Sequence, residues 1–386
     1  MASNESTCAS KTEILQQVEL GFAEKTESWR LRSKYFPSKV GGKPSWLNLR
    51  DLPSEKHLEC KLCQKPLVFL LQIYAPFEEN PNTFHRSIFI FVCKDPKCCK
   101  SNENKNFVVF RCQLPRDNRY YSPQPPIEEE CDSHKPSAED FRKLCCVCGC
   151  VGTKQCSRCH SGVYCSRHHQ KIDWIKRHKF LCVENNDPEA KIAIPESLIP
   201  TEKHNFLFGE YSIEMEVEEF NNESEAEKSE EEKMNEYKKF LKESKARIFM
   251  RGEDPNENDL EEMALKSDKI FSKFMKIIKH NPDQIIRYQR GGMPLWISSS
   301  NTPTQIPKCP CGSERQFEFQ IMPQLLNYLD VDNVKESIDW GILAIYTCIR
   351  SCEFGVAYKP EYLWKQDFDH IKYTNEEKSE VNDNGK

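Results

Sequence analysis

Eight side chains of the metal-binding type lie between residues 145 and 182, in four close pairs: Cys145-x2-Cys148, Cys156-x2-Cys159, Cys165-x3-His169 and His178-x3-Cys182. Two tetrahedral zinc ions need eight sulfur or nitrogen donors, and this stretch supplies eight. So short a segment buries too little apolar surface to fold alone. Metal binding has to supply the folding free energy, about 10–16 kcal/mol per site in zinc-finger peptides. The competing use of clustered cysteines is a disulfide framework. The first seventeen residues hold no apolar stretch of signal-peptide type, and no run is long enough to span a bilayer. These features predict a chain with no membrane partner in a reducing compartment, where thiols serve as ligands rather than cross-links.

A second pattern flanks the first. Gly41-Gly42-Lys43-Pro44-Ser45-Trp46 returns as Gly291-Gly292-Met293-Pro294-Leu295-Trp296. About thirteen residues after each Trp comes a cysteine pair, Cys60-x2-Cys63 and Cys309-x-Cys311, then a strand-like run at 67–73 and 316–321. A second apolar run follows in each half and ends in cysteines, Cys93-x4-Cys98 and Cys348-x3-Cys352. The order is the same in both halves, which marks an internal repeat. Antiparallel pairing of the two runs brings the start of one beside the end of the other, which is how a zinc-ribbon-like four-cysteine site is made. Cys99, next to Cys98, leaves the fourth N-terminal ligand open. The Gly-Gly-x-Pro-x-Trp segments lack the Lys-Ser/Thr of a phosphate loop and read as turns that let Trp46 and Trp296 pack on their sheets.

These signals predict an α+β fold: a pseudo-symmetric pair of antiparallel β units, each with a four-cysteine site, and a small zinc finger inserted between them. The expected division is an N-terminal β unit at 1–113, a Pro-rich linker at 114–140, the finger at 141–183, an acidic, partly disordered linker at 184–235, a helix plus β unit at 236–375 and a tail at 376–386. Apolar residues recur at helical spacing over 259–279, with Pro282 just beyond. A second short helix, over 169–180, would carry His178.

The chain has 386 residues, of which 38% are hydrophobic and 30% charged, with a formal net charge of −5. Loading fourteen thiolates with four zinc ions would lower this to about −11. An acidic surface suits a basic partner and argues against direct nucleic-acid binding, although Arg158, Arg167, Lys171, Lys176, Arg177 and Lys179 cluster in the finger. No G-x-S-x-G or H-E-x-x-H motif occurs, and every expected zinc has four protein ligands, so no enzyme is predicted.

The finger's ligand order resembles a MYND zinc finger, with His169 where that family usually has Cys. The resemblance implies interleaved pairs: Cys145, Cys148, Cys165 and His169 around one zinc, Cys156, Cys159, His178 and Cys182 around the other. It also implies a groove for proline-containing peptides at Ser157, Gln170 and Trp174. A wider resemblance, carried by residues 40–47, 93–98, 281–288, 317–328 and 339–343, is to the programmed cell death protein 2 family. That family implies a dedicated chaperone for one basic small-subunit ribosomal protein, the universal protein number five (eukaryotic S-two), acting in 40S biogenesis in cytoplasm and nucleus. The rival expectation is a nuclear regulatory adaptor that uses the finger to recruit partners in transcription, proliferation or apoptosis control. Zn2+ is the expected cofactor, two in the finger and one in each β unit, the latter held by Cys60, Cys63, Cys93 and Cys98 and by Cys309, Cys311, Cys348 and Cys352.

Overall fold

The run that begins at residue 88 lies in a strand covered on both faces. In β4 (His85–Val92) all eight residues are buried. Ile88, Ile90 and Val92 join one apolar cluster, while Phe89 and Phe91 join another. That is the period of two expected of a strand lying between two cores. Its neighbours are β3 (Val68–Tyr74) and β5 (Phe107–Leu114), both antiparallel to it. In the C-terminal half, β10 (Arg315–Ile321), β11 (Ile342–Cys348) and β12 (Lys359–Gln366) form a matching antiparallel trio. The computed structural model describes residues 17–77, 80–130, 135–182, 206–219, 269–329, 331, 337–353 and 355–368.

These six strands close into a ten-strand barrel with β1 (Glu19–Glu24), β2 (Lys39–Val40), β8 (Tyr211–Val217) and β9 (Ile286–Tyr288). The order around the ring is β1-β8-β2-β3-β4-β5-β12-β11-β10-β9. The halves meet at two seams, β5 with β12 and β1 with β9. Val68, Leu71, Ile90, Phe319, Ile321, Leu343 and Ile345 fill the main core. Two buried ion pairs, Arg86 with Glu318 and Arg111 with Glu361, also join the halves.

Two local features recur in both halves. The β3–β4 register shifts between Phe69 and Leu71, and the β10–β11 register shifts between Phe317 and Phe319. One strand residue grips each Gly-Gly-x-Pro-x-Trp turn. The Gln72 amide accepts from the Ser45 N–H (2.9 Å) and donates to the Ser45 carbonyl (3.2 Å). Gln320 does the same to Leu295, at 2.6 and 3.2 Å. Trp46 is fully buried, as a turn that delivers it to the sheet requires, and Trp296 is half-buried.

The expectation of an α+β fold is corrected to a mostly β one. Among the described residues, α-helix is confined to α1 (Arg167–Asp173), α2 (Lys179–Leu181) and α3 (Lys269–His280). The first two are joined through a π-helical turn over Trp174–His178. Of the helix expected over 259–279, residues 259–268 lie outside the described residues, and α3 packs Phe274 and Ile278 against Ile297, Met322 and Ile342. The acidic linker is also corrected where it is described. Tyr211–Val217 is strand β8, fully paired with β1, because Ile213 and Met215 face the core while Glu214 and Glu216 face water. The start of the Pro-rich stretch after β5 is likewise pinned, at Tyr120 and Tyr121. Tyr120 and Tyr121 are buried, and the Tyr121 hydroxyl donates to the carbonyls of Trp46 (3.1 Å) and Leu47 (2.9 Å).

Candidate metal centres

Each of the four closely spaced pairs Cys60/Cys63, Cys145/Cys148, Cys156/Cys159 and Cys309/Cys311 sits on a tight knuckle. The N–H of Gln64 donates to the Cys60 carbonyl (2.8 Å), Gly149 to Cys145 (2.9 Å) and His160 to Cys156 (3.0 Å). Each of those three donors has positive φ, a conformation that ends the turn and aims both sulfurs to one side. The shorter Cys309-x-Cys311 pair uses a turn one residue tighter, closed by Gly312 N–H on the Cys309 carbonyl (2.8 Å), with Gly312 at φ +86°. Glycine makes that tighter turn available, which accounts for the unusual spacing.

In the finger, β6 (Lys154–Gln155) and β7 (Val163–Tyr164) form a small hairpin beside α1. The finger shares a core with the barrel: Val147, Cys148, Cys150 and Tyr164 lie in the same buried cluster as Trp46, Phe89 and Phe91. The Trp46 indole N–H donates to the Gly149 carbonyl (2.8 Å). Inside the finger the Tyr164 hydroxyl donates to Asp173 (2.8 Å), and Asp173 also pairs with Arg177.

Four groups of four donors converge, each with all ligand atoms within 4.8 Å of one another. They are Cys60, Cys63, Cys93 and Cys98; Cys145, Cys148, Cys165 and His169; Cys156, Cys159, His178 and Cys182; and Cys309, Cys311, Cys348 and Cys352. Sulfur separations are 3.6 Å for Cys63–Cys93, 3.7 Å for Cys148–Cys165, 3.7 Å for Cys156–Cys182 and 3.6 Å for Cys309–Cys352. A tetrahedron with zinc–sulfur bonds of about 2.3 Å has edges of about 3.8 Å, whereas a disulfide is about 2.0 Å long. His169 presents Nδ1 to Cys165 (3.1 Å), and His178 presents Nε2 to Cys159 (3.4 Å). The donor chemistry and spacing fit tetrahedral zinc.

The thiol acidities depend on local surroundings. Burial pushes the Cys98 thiol up to about 12. The Ser313 hydroxyl and N–H draw Cys311 down to about 6. Each quartet supplies all four positions of a tetrahedron, an arrangement that braces structure and leaves no position for a reacting water.

Geometry answers the point that spacing leaves open, the fourth N-terminal donor. Cys98 enters the N-terminal quartet, while the Cys99 thiol meets the backbone of Asp339 (3.3 Å). His169, not the exposed His168, faces the finger's first quartet. Of the residues expected at the peptide groove, Ser157 and Trp174 are exposed and Gln170 is half-buried. Trp174 donates its backbone N–H to the Gln170 carbonyl, so these two stand one turn apart on the helix. The supporting shell of the C-terminal quartet, Arg111, Arg315 and Glu361, was not picked out by spacing. Its only trace is charge inside strand-like runs such as the one that holds Arg111.

The signature of the programmed cell death protein 2 N-terminal domain matches residues 17–128, that of its C-terminal domain residues 268–367, and that of the MYND finger residues 145–182. A "Programmed cell death protein 2" of Bos taurus is 45% identical over 358 residues, 90% of this chain and 96% of that protein. This chain belongs to the programmed cell death protein 2 family. A "Programmed cell death protein 2-like" of Homo sapiens is 30% identical over 342 residues, 82% of this chain and 85% of that one. A shorter similarity, 35% over 98 residues and 22% of this chain against 24% of that one, is to a Schizosaccharomyces pombe protein named "Probable 20S rRNA accumulation protein 4". No solved structure matches. The family's barrel halves and its MYND finger are non-catalytic domain types.

Proposed function

We propose that this chain is a non-enzymatic, zinc-braced chaperone or adaptor for a basic small-subunit ribosomal protein, the universal protein number five, and that it supports 40S biogenesis in cytoplasm and nucleus. The observation that carries the ribosomal part is the likeness to a relative whose name speaks of 20S rRNA accumulation. The geometry agrees with a scaffold role, since four quartets with complete protein ligand sets serve rigidity rather than turnover. In this reading four zinc ions are bound, two in the finger and one beside each sheet, and the halves descend from one repeated β unit. The acidic net charge favours a basic client through complementarity. The test is affinity purification of the full chain from cells under mild salt, with zinc counted by mass spectrometry. One basic small-subunit ribosomal protein in stoichiometric amount supports the proposal, and its absence from every preparation sinks it.

A second reading is favoured by the finger's surface. Trp174 is 36% exposed and Ile175 58%, on a helix where Phe180 is also exposed. These side chains suit a regulatory adaptor that takes proline-containing peptides beside Ser157 and Gln170. Trp174→Ala separates the two: it abolishes the main cellular activity if the adaptor reading holds and spares client capture if the chaperone reading holds.

A further inference from the structure

We propose that the C-terminal four-cysteine site is completed by the N-terminal half of the chain, with Arg111 of β5 as the positioning residue and counter-ion for Cys352. This rests on the reading that the quartet binds zinc. It adds that the site keeps its metal only while the barrel is closed along the β5–β12 seam.

The loop at 348–352 supplies two of the four sulfurs, and the opposite half grips it at two points. Arg111 Nη2 donates to the Cys352 carbonyl (3.2 Å) and lies 3.8 Å from the Cys352 sulfur. Two residues on, the Gln113 amide donates to the Ser351 carbonyl (2.9 Å). Arg111 is itself fixed: its Nε donates to Glu361 (2.7 Å), and both side chains are fully buried. Glu361 accepts from the Cys348 N–H (3.2 Å) and from Arg315 (2.9 Å). Arg315 in turn donates to the Pro307 and Lys308 carbonyls (both 2.7 Å), just ahead of Cys309. One network therefore reaches both cysteine pairs.

Charge gives the arrangement its purpose. A divalent ion with four thiolates carries two negative charges, costly in a half-buried position unless balanced. Arg111, Arg315 and Arg290, the last donating to the Ile349 carbonyl (3.2 Å) and the Ser351 hydroxyl (3.1 Å), bring three positive charges against the one negative charge of Glu361. Among these four groups the positive charges outnumber the negative, which suits a dianionic tetrathiolate centre. A short, poorly defined loop would hold no such balance, since the arginine that touches the sulfur lies 241 positions away in sequence.

The experiment uses the zinc-loaded full chain, with Arg111→Met and Arg111→Lys. Zinc per chain, zinc release to a chromogenic chelator and alkylation of each cysteine are measured, the last by peptide mass spectrometry. Arg111→Met is expected to speed alkylation of Cys309, Cys311, Cys348 and Cys352 about tenfold or more, while Cys60, Cys63, Cys93 and Cys98 stay within about twofold. Arg111→Lys keeps charge and bulk and should give the same selective pattern at smaller amplitude. It decides the question alone if the Met variant does not fold. An unchanged C-terminal quartet, or all quartets rising together, overturns the proposal. A wild-type C-terminal quartet that is alkylated as fast as the Cys99 thiol holds no metal. That outcome refutes the metal reading itself and is distinct from an intact metal that ignores Arg111.

Discussion

Arg86 of β4 and Glu318 of β10 lie 232 positions apart and meet in the barrel interior, Nη2 to Oε2 at 2.7 Å, with neither side chain exposed. The Tyr288 hydroxyl also donates to Glu318 (3.1 Å), and Thr347 to the same carboxylate. Burial alone would push this carboxyl up. The adjacent guanidinium outweighs it and holds Glu318 down at about 2.

Breaking this pair from one side should be far more damaging than removing it. Arg86→Met leaves a buried carboxylate without its cation and is expected to cost about 3–5 kcal/mol. Arg86→Met with Glu318→Met should recover a large part of that loss. Thermal unfolding followed by circular dichroism checks both, and equal losses in the single and double variants would show that the pair acts only as packing.

The two repeats should respond unequally to the same substitution. Gly41 has φ +64°, and a Cβ there would stand 1.9 Å from the Gly209 carbonyl oxygen. Gly291 has φ +77°, with nothing nearer than the Gln316 amide oxygen at 3.8 Å. Gly291→Ala should cost about 1–2 kcal/mol, the left-handed backbone term alone. Gly41→Ala adds a backbone clash where the turn meets the chain entering β8, and should lower the unfolding midpoint well beyond that or prevent folding. Comparable midpoints for the two variants would contradict this.

A pH dependence follows from His85. It is buried, lies under the stacked Phe36 ring (4.1 Å), and has Tyr74 Oη 3.0 Å from Nδ1. Burial, helped by the charge of Arg116, lowers it from 6.5 to about 4. The unfolded chain then binds the extra proton first as pH falls. Stability is lost between pH 6.5 and about 4 and levels off below, by at most about 3 kcal/mol. His85→Phe should flatten that part of the curve. Comparing the two proteins at each pH separates this group from the thiols that titrate alongside, and parallel curves would remove His85 from the account.

Removing the Trp46 side chain should loosen the finger from the barrel while its metals stay in place. Trp46→Ala deletes the largest side chain in the shared core, worth about 3–5 kcal/mol, together with the indole bond to Gly149. The readout is limited proteolysis between residues 115 and 140, expected to accelerate at unchanged zinc content. Unchanged cleavage would mean that the remaining contacts, such as Arg142 with the Arg50 carbonyl and Lys154 with Glu55, hold the finger without Trp46.

The metal quartets were legible in the sequence because a metal imposes short spacings on its ligands, and a knuckle turn keeps each pair local. The apolar strands were legible for a similar reason, since β4 and β11 carry uninterrupted runs that only a doubly covered strand tolerates. Strand β8 was hidden by composition: its alternation of Ile213 and Met215 with Glu214 and Glu216 is a strand period, masked by acidity. Arg86 with Glu318, and Arg111 with Cys352, were beyond sequence reading. Their partners are chosen by ring closure, which places strands together without regard to their distance along the chain.

Strand β1 has an unusual history. It is made first, yet both its neighbours, β8 and β9, lie about 190 to 270 residues downstream. While the chain is being synthesised, this strand waits with two unsatisfied edges, each able to recruit a strand from another molecule. A message that stops before β8, even one that includes the whole finger, leaves it in that condition. A shortened product of this gene is therefore an aggregation hazard and not merely a weaker protein, so cellular quality control rather than residual activity decides its fate.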